Sequence, residues 1–272
     1  MAVRSLPLLL PGTGAEAIFQ VSGKLALGSE ARVLPSAFVV CPRHKPHQLV
    51  ALGQVVFLSV RFRLSSLRHF TALGMADLID GITPLEALFG PELSLLHESI
   101  LAEPSFEKQA NSIFAFLEKR KEQHVRPDRE SDSIMNALYY SEPECSLEQL
   151  AGKTGFSLRQ LERKVSGSAG VGPKYFMRLT RFYRAMRSLH LNRNLGAVDI
   201  ALEQGYHDQA HFIHDCKDIS GHTPGGLLAL SGGMSHFYNT SLGCRSMLDA
   251  KFTKHEVNHR ILHGPERVGT ET

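Results

Sequence analysis

Two stretches of this chain repeat one pattern, offset by about fifty residues. Ala151, Gly155 and Phe156 in the first correspond to Ala201, Gly205 and Tyr206 in the second. One residue is then gained, and Leu161, Val165, Gly170 and Pro173 correspond to Phe212, Cys216, Gly221 and Pro224. A small residue lets two helices cross closely, and a glycine four residues later accepts the positive φ of a tight turn. The next helix needs its own cap: Ser157 with Gln160 spells a capping box, and Asp208 is a favourable N-cap. Leu161 with Val165, and Phe212 with Cys216, stand at i,i+4 spacing and face inward together. The pattern predicts two helix-turn-helix units within 146–225, joined by one long helix over 172–191. Phe176, Leu179, Tyr183 and Met186 form the expected core stripe of that helix.

Charge follows the repeat unevenly. Lys153 to Arg193 holds ten Lys or Arg and one acid, Glu162, the footprint of a phosphate-binding surface. Residues 194–232 hold one lysine, Lys217, against five acids at 199, 203, 208, 215 and 218. The second unit is expected to repel phosphate unless local geometry hides those acids, leaving the first unit to supply most of the affinity.

The stretch resembles the DNA-binding domain of the AraC/XylS family of bacterial transcription regulators. The carriers are A-x3-GFS-x3-L (Ala151 to Leu161), G-x2-P-x-YF (Gly170 to Phe176), R-x3-A-x3-L (Arg181 to Leu189) and IA-x3-GY-x-D-x2-HF-x4-K-x3-G-x-TP (Ile200 to Pro224). Cys216 departs from the family's usual Phe and fills less volume. The resemblance implies that Arg181 is structural and that His211 belongs to the fold.

Ahead of the repeat, residues 1–64 read as short antiparallel strands, a partial open barrel. AEAIFQVSG and QVVFLSVRFRL are rich in β-formers, punctuated by Gly and Pro. Helices are expected from about residue 66, with Thr83 as N-cap and Pro84 at the first helical position. Two more are expected at 91–103 and 105–123, where Ile113, Phe114, Phe116 and Leu117 form an apolar stripe packing within the chain or on a second subunit. LPGTGAEAIFQVSG and SVRFRLSSLRHFTALGMADLIDGITPLEALFG resemble the sensor-like region of one subset of AraC-type regulators, more loosely. The expected fold class is α+β: a β domain with helices at 1–124, then an all-α domain at 131–232 whose first helix is Ser131 to Tyr140. A boundary falls in the charged run EKRKEQHVRPDRESD. MSHFYNTS resembles a terminal segment of that subset, and 241–272 reads as a loosely ordered tail.

The start, MAVRSLPLLLPG, is too short and too broken by proline for a signal peptide or membrane anchor. Four cysteines without CxxC spacing read as reduced thiols in a cytoplasmic protein.

On the first recognition helix, Arg159, Glu162 and Arg163 share the outward face and fall where the family's base-contacting residues lie. Arginine pairs with guanine, and glutamate accepts from cytosine or steers an arginine. On the second, Gln209, Ala210, Ile213 and His214 hold the corresponding face: Gln209 for adenine, Ala210 and Ile213 for a thymine methyl. His214 stands where the family often has arginine. Lys174 and Arg178 are expected at phosphates, and Lys217 at a phosphate or in solvent. His255-Glu256-x2-His259 with His263 matches a zinc-protease pattern, and Cys41-x2-His44-x2-His47 could suit a soft metal. The first has no cleft-forming sequence after it and the second is a proline-interrupted loop. No catalytic residue, metal or cofactor is therefore assigned.

The expectation is a sequence-specific, non-enzymatic DNA-binding regulator with duplex DNA as partner. The resemblance adds RNA polymerase, a small-molecule effector and self-association as a homodimer, with no membrane. A protein-interaction module without DNA binding and a metal-dependent enzyme are the alternatives.

Overall fold

The computed structural model describes residues 3–6, 8–28, 30–124, 128–191, 196–231 and 257–262. Two long strands make the N-terminal half, β2 (Ala15–Leu27) and β5 (Leu49–Phe62), paired antiparallel from Ala15↔Phe62 to Leu27↔Leu49 with irregularities near Ser22. The further strands β1 (Val3–Ser5), β3 (Arg32–Val33), β4 (Ala37–Val40) and β6 (Ile82–Pro84) complete the path β1-β5-β2-β4-β6, with β3 beside β2. All pairings are antiparallel. This sheet and the helical half that follows give the α+β architecture expected from the strand and helix patterns.

β5 explains the one departure in the tail. β1 covers the β5 edge only at Val50–Leu52, and β7 (Val257–Leu262) pairs antiparallel with Val55–Val60 beyond it. An open strand edge is a template for pairing, so the tail expected to be loose is a strand over these six residues. His259 therefore lies on a strand. His255, Glu256, His263 and the MSHFYNTS segment lie outside the described residues.

The leading apolar run is core. Leu6 and Leu9 pack under one sheet face with Ile18, Phe38 and Phe57. Leu10 packs instead into the core of the second helix-turn-helix unit. Arg43 is fully buried and organises this corner. Its Nη1 donates to the carbonyls of Gly12 (2.6 Å), Gly14 (2.6 Å) and Pro42 (3.3 Å), and its Nη2 donates to Thr13 O (3.3 Å).

After β5 the chain makes two 3-10 turns, Ser66–His69 and Met75–Leu78, where helices were expected. Thr83 is not a helix cap. It pairs with Val39 inside β6, and α1 (Leu85–Phe89) starts after Pro84. α2 (Glu92–Ala102) and α3 (Phe106–Gln123) lie on the sheet, and Ile113 and Leu117 are buried in its core with Phe114 and Phe116 against them. The stripe on α3 thus packs within the chain.

The helical half is α4 (Arg129–Tyr139), α5 (Leu147–Thr154), α6 (Leu158–Ala169), α7 (Pro173–Leu191), α8 (Ala197–Glu203), α9 (Gln209–Ser220) and α10 (Pro224–Ser231). Ser157 and Gln160 make both bonds of the capping box at α6, and Asp208 accepts from His211 N at α9. Ser146 and Gln149 make a second capping box at α5, one that was not anticipated. In α7 the core positions are Phe176, Leu179, Phe182 and Met186. Tyr183, expected among them, faces the β domain: its ring packs on Gly12, and Arg61 Nη1 lies 3.4 Å from its hydroxyl. Three of the four expected positions hold, and Phe182 takes the place of Tyr183 because α7 turns a second face toward the β domain.

That contact is one of several between the halves. Tyr175 donates to Arg43 O at 2.9 Å and stacks on His44. Ile79 and Ala76 press on Gly170. Arg68 donates to Asp132 on α4, with His69 Nε2 3.0 Å from the same carboxylate. Burial alone would raise the Asp132 carboxyl, but the His69 and Arg68 hydrogen bonds and charges hold it below its ordinary value. A depressed carboxyl stabilises the fold above its unfolded value and stops doing so as pH falls through the folded one. Asp132→Asn is expected to cost about 1 kcal/mol near neutral pH, as for a partly exposed pair. Urea melts at falling pH should show the difference from the wild type closing below the carboxylate range.

Candidate nucleic-acid interface

Each recognition helix is held by its own core. Leu161, Val165 and Ala169 of α6 are buried with Ile134, Leu138, Leu150 and Phe176. Phe212, Cys216 and Ile219 of α9 are buried with Leu179, Phe182, Ile200 and Tyr206. Cys216 fits its smaller space, and burial pushes its thiol up to about 11. The opposite faces are open. Arg159, Glu162 and Arg163 on α6 are exposed, as are Gln209, Ala210 and His214 on α9, with Ile213 half-buried.

The α8–α9 turn is fixed both to α7 and to the loop between α4 and α5. A Cβ on Gly205, in the α8–α9 turn, would lie 2.5 Å from Pro143 Cβ in the α4–α5 loop that leads into the first unit. Arg181 donates to Gly205 O at 3.3 Å, and its guanidinium sits 4.8 Å over the Tyr206 ring. Three residues on, Arg184 donates to Ser141 O at 3.1 Å. α7 therefore grips the second unit with one arginine and the α4–α5 loop with the next. This is the structural role that the resemblance implied for Arg181.

Arg178 is held by two carboxylates of α9. It was expected at phosphates, yet Nε donates to the buried carboxylate of Asp215 and Nη2 to Asp218 at 3.0 Å. Tyr206 donates to the other Asp215 oxygen at 2.8 Å. Burial, then the Asp215 carboxylate, drives the Tyr206 hydroxyl far above its ordinary value. The repulsion expected of the second unit is thereby reduced: one of its five acids is hidden and another is paired. The remaining Asp199, Glu203 and Asp208 are exposed.

The basic block shrinks in the same way. Lys164 pairs with Glu130 at 2.8 Å and Asp128 at 3.6 Å, and Arg178, Arg181 and Arg184 are engaged as above. Among the described residues of 153–193, the exposed cations are Lys153, Arg159, Arg163 and Lys174. All four flank the first unit. Glu162, the lone acid there, leans toward the α7 N-terminus: its Oε1 comes within 3.0 Å of where a Gly172 Cβ would stand. An acid is favoured at that end of a helix.

Two other groupings resolve differently. Cys41 is buried with Sγ 3.8 Å from Gly14 O, His47 is buried, and His44 is exposed beside Asp80 at 2.7 Å. Their side chains do not converge, and no group of three or more potential metal ligands occurs among the described residues. Cys41, Cys145 and Cys216 are free thiols. No helix among the described residues is long and apolar enough to cross a membrane. Between the sheet and α7 a cavity of about 60 Å³ is lined by Leu9, Val40, Arg61, Phe62, Tyr139 and Tyr183, among others.

Residues 150–229 match a family model described as a helix-turn-helix domain. No curated protein matches the chain. Among solved structures the chain is similar to ToxT from Vibrio cholerae. A structure of it at 1.65 Å resolution has 14% identity and a TM-score of 0.49, over 84% of this chain and 97% of that one. ToxT from Vibrio cholerae O395 has 15% identity and a TM-score of 0.46, over 85% and 97%. An unsaturated fatty acid bound wild-type ToxT from strain SCE256 has 14% identity and a TM-score of 0.41, over 85% and 92%.

Proposed function

We propose that this chain, whose residues 150–229 are an AraC-type helix-turn-helix domain, is a sequence-specific transcription regulator that reads two successive major grooves. The carrying observation is the pair of exposed recognition faces on α6 and α9, both held by α7. The 19 residues of α7 span about 28 Å at 1.5 Å each, comparable with the ~34 Å of one duplex turn. A rigid spacer of that length favours two adjacent grooves on one face of the DNA, with some bending of the site.

The first unit supplies most of the affinity in this reading. Arg163 and Arg159 reach guanine edges, Lys153 and Lys174 touch phosphates, and Gln209, Ala210 and Ile213 read the second groove. Arg163→Ala is expected to weaken binding to a selected duplex by about 1–3 kcal/mol, roughly five- to 150-fold, and to relax preference at one base pair. Its exposed position predicts an unchanged unfolding curve. Selection from random duplex DNA followed by titration tests this, and a protein indifferent to every duplex would overturn the reading.

The β domain is proposed to sense a small effector or to join two copies of the chain, with RNA polymerase as a further partner. The cavity beneath α7 supports the first role. At about 60 Å³ it is smaller than the ~150 Å³ that holds benzene. An effector would enter only as the sheet and α7 part, which couples its binding to the placement of the DNA-reading half. The protein-interaction alternative rested on the acidic second unit and weakens with the burial of Asp215 and the pairing of Asp218.

A further inference from the structure

The first unit meets solvent with arginine and lysine, and the second meets it with histidine. His207, His211 and His214 are all exposed at or on α9, and His222 is exposed just beyond its end. Residues 146–189 contain no histidine. His207 and His211 adjoin Gln209 and Ala210, at the end of the helix expected to approach base edges. His214 lies one turn further along the same exposed side.

We propose that His207, His211 and His214 form a proton-dependent DNA contact, so that the second unit engages its groove more strongly as the imidazoles become charged. This rests on the DNA-binding reading above. Imidazole is the side chain whose charge changes near physiological pH. Residues 196–231 carry five acids and one lysine, a formal charge of −4, and four histidines whose protonation would bring that to zero. The charged groups around the three histidines permit this. His207 Nδ1 lies 3.3 Å from Asp208, and His214 Nδ1 lies 3.6 Å from Asp218, which Arg178 of α7 also holds. His211 sits edge-on to the Tyr206 ring, and its Nδ1 accepts from His207 N at 3.4 Å, a long bond that protonation gives up. Behind them Asp215 is buried between Arg178 and Tyr206, with Cys216 beside it, and Arg181 lies over the Tyr206 ring. α8 contributes exposed Asp199 and Glu203, α9 exposed Lys217, and α10 no titratable side chain. Protonation of these three therefore takes the formal charge of the stretch from −4 to −1 and sets three donors toward the phosphates.

The test measures binding of the full chain to a mixed-sequence duplex of about two helical turns at several salt concentrations, at about pH 7.5 and about pH 5.5. Wild-type protein is expected to bind about tenfold tighter at the lower pH, with a salt slope steeper by about three, roughly 0.9 for each histidine that adds a phosphate contact. The triple variant H207Q/H211Q/H214Q should lose that gain. His214→Arg should bind more tightly at the higher pH and show a smaller pH response, a gain that misfolding cannot mimic. Arg163→Ala should weaken binding at both pH values and leave their ratio unchanged. Equal wild-type affinity at both, or a triple variant that keeps the full gain, overturns this inference alone. Absence of binding at both pH values overturns the DNA-binding reading with it.

Discussion

Replacing Arg178 with methionine is expected to destabilise the protein by about 3–5 kcal/mol, the cost of leaving a buried charge without its partner. The charge is Asp215, only 4% exposed at its side chain, which would keep the Tyr206 hydroxyl but lose the guanidinium. Chemical denaturation reads the loss directly. The sequence-based expectation of a phosphate contact makes the opposite forecast: unchanged stability and a salt slope for DNA binding lower by about 0.9. The two are separable in one preparation. Pairing Arg178→Met with Asp215→Leu should recover much of the stability, because replacing both members of a buried pair by apolar groups is often neutral or better. Failure of the double variant to recover would mean that Arg178 matters through something other than this carboxylate.

Gly205→Val is expected to cost about 4 kcal/mol and to uncouple the two units. Two effects add. Gly205 has φ +75°, where a β-branched residue pays about 1–3 kcal/mol. Its Cβ would also stand 2.5 Å from Pro143 Cβ and 3.1 Å from the Pro143 carbonyl, an overpacking worth about 1–3 kcal/mol more. Gly155→Val is the control. It shares the φ of +75° at the equivalent turn, but nothing lies within 4 Å of its Cβ, so only the conformational part should appear. In binding assays Gly205→Val should lose the advantage of a two-groove site over a single-groove site, while Gly155→Val keeps it. Equal penalties for the two glycines would show that the Pro143 contact does not set the geometry.

That pair of glycines shows how far the letters alone reach. Both are legible in sequence as turn glycines, and both have positive φ. Only the three-dimensional packing shows that one turn is open and the other closes against the α4–α5 loop. The same limit explains α7. Its helical period is written in Phe176, Leu179 and Met186, yet Tyr183 was assigned to the core because a helix with two buried faces looks like one with a single broad face. Thr83-Pro84-Leu85-Glu86 has the composition of a helix start, and pairing with β4 took Thr83 and Pro84 into a strand instead. At the interface, the exposed positions of Arg159, Arg163, Gln209 and His214 follow from spacing and caps. The engagement of Arg178 and Lys164 does not, since their acidic partners lie 37 residues later and 34 earlier.

Sequence by itself determined what depends on neighbours within a turn or two: the capping boxes, the turn glycines, the i,i+4 inward pairs, and so the tandem units. Tertiary structure alone decided which charges remain for a partner. Of the nine described cations between Lys153 and Arg187, four are exposed, and the five acids of the second unit lose one to burial and one to pairing. The reason is physical. Local hydrogen bonds act over a few residues of chain, whereas ion pairing and burial depend on distances through space that only the folded chain defines.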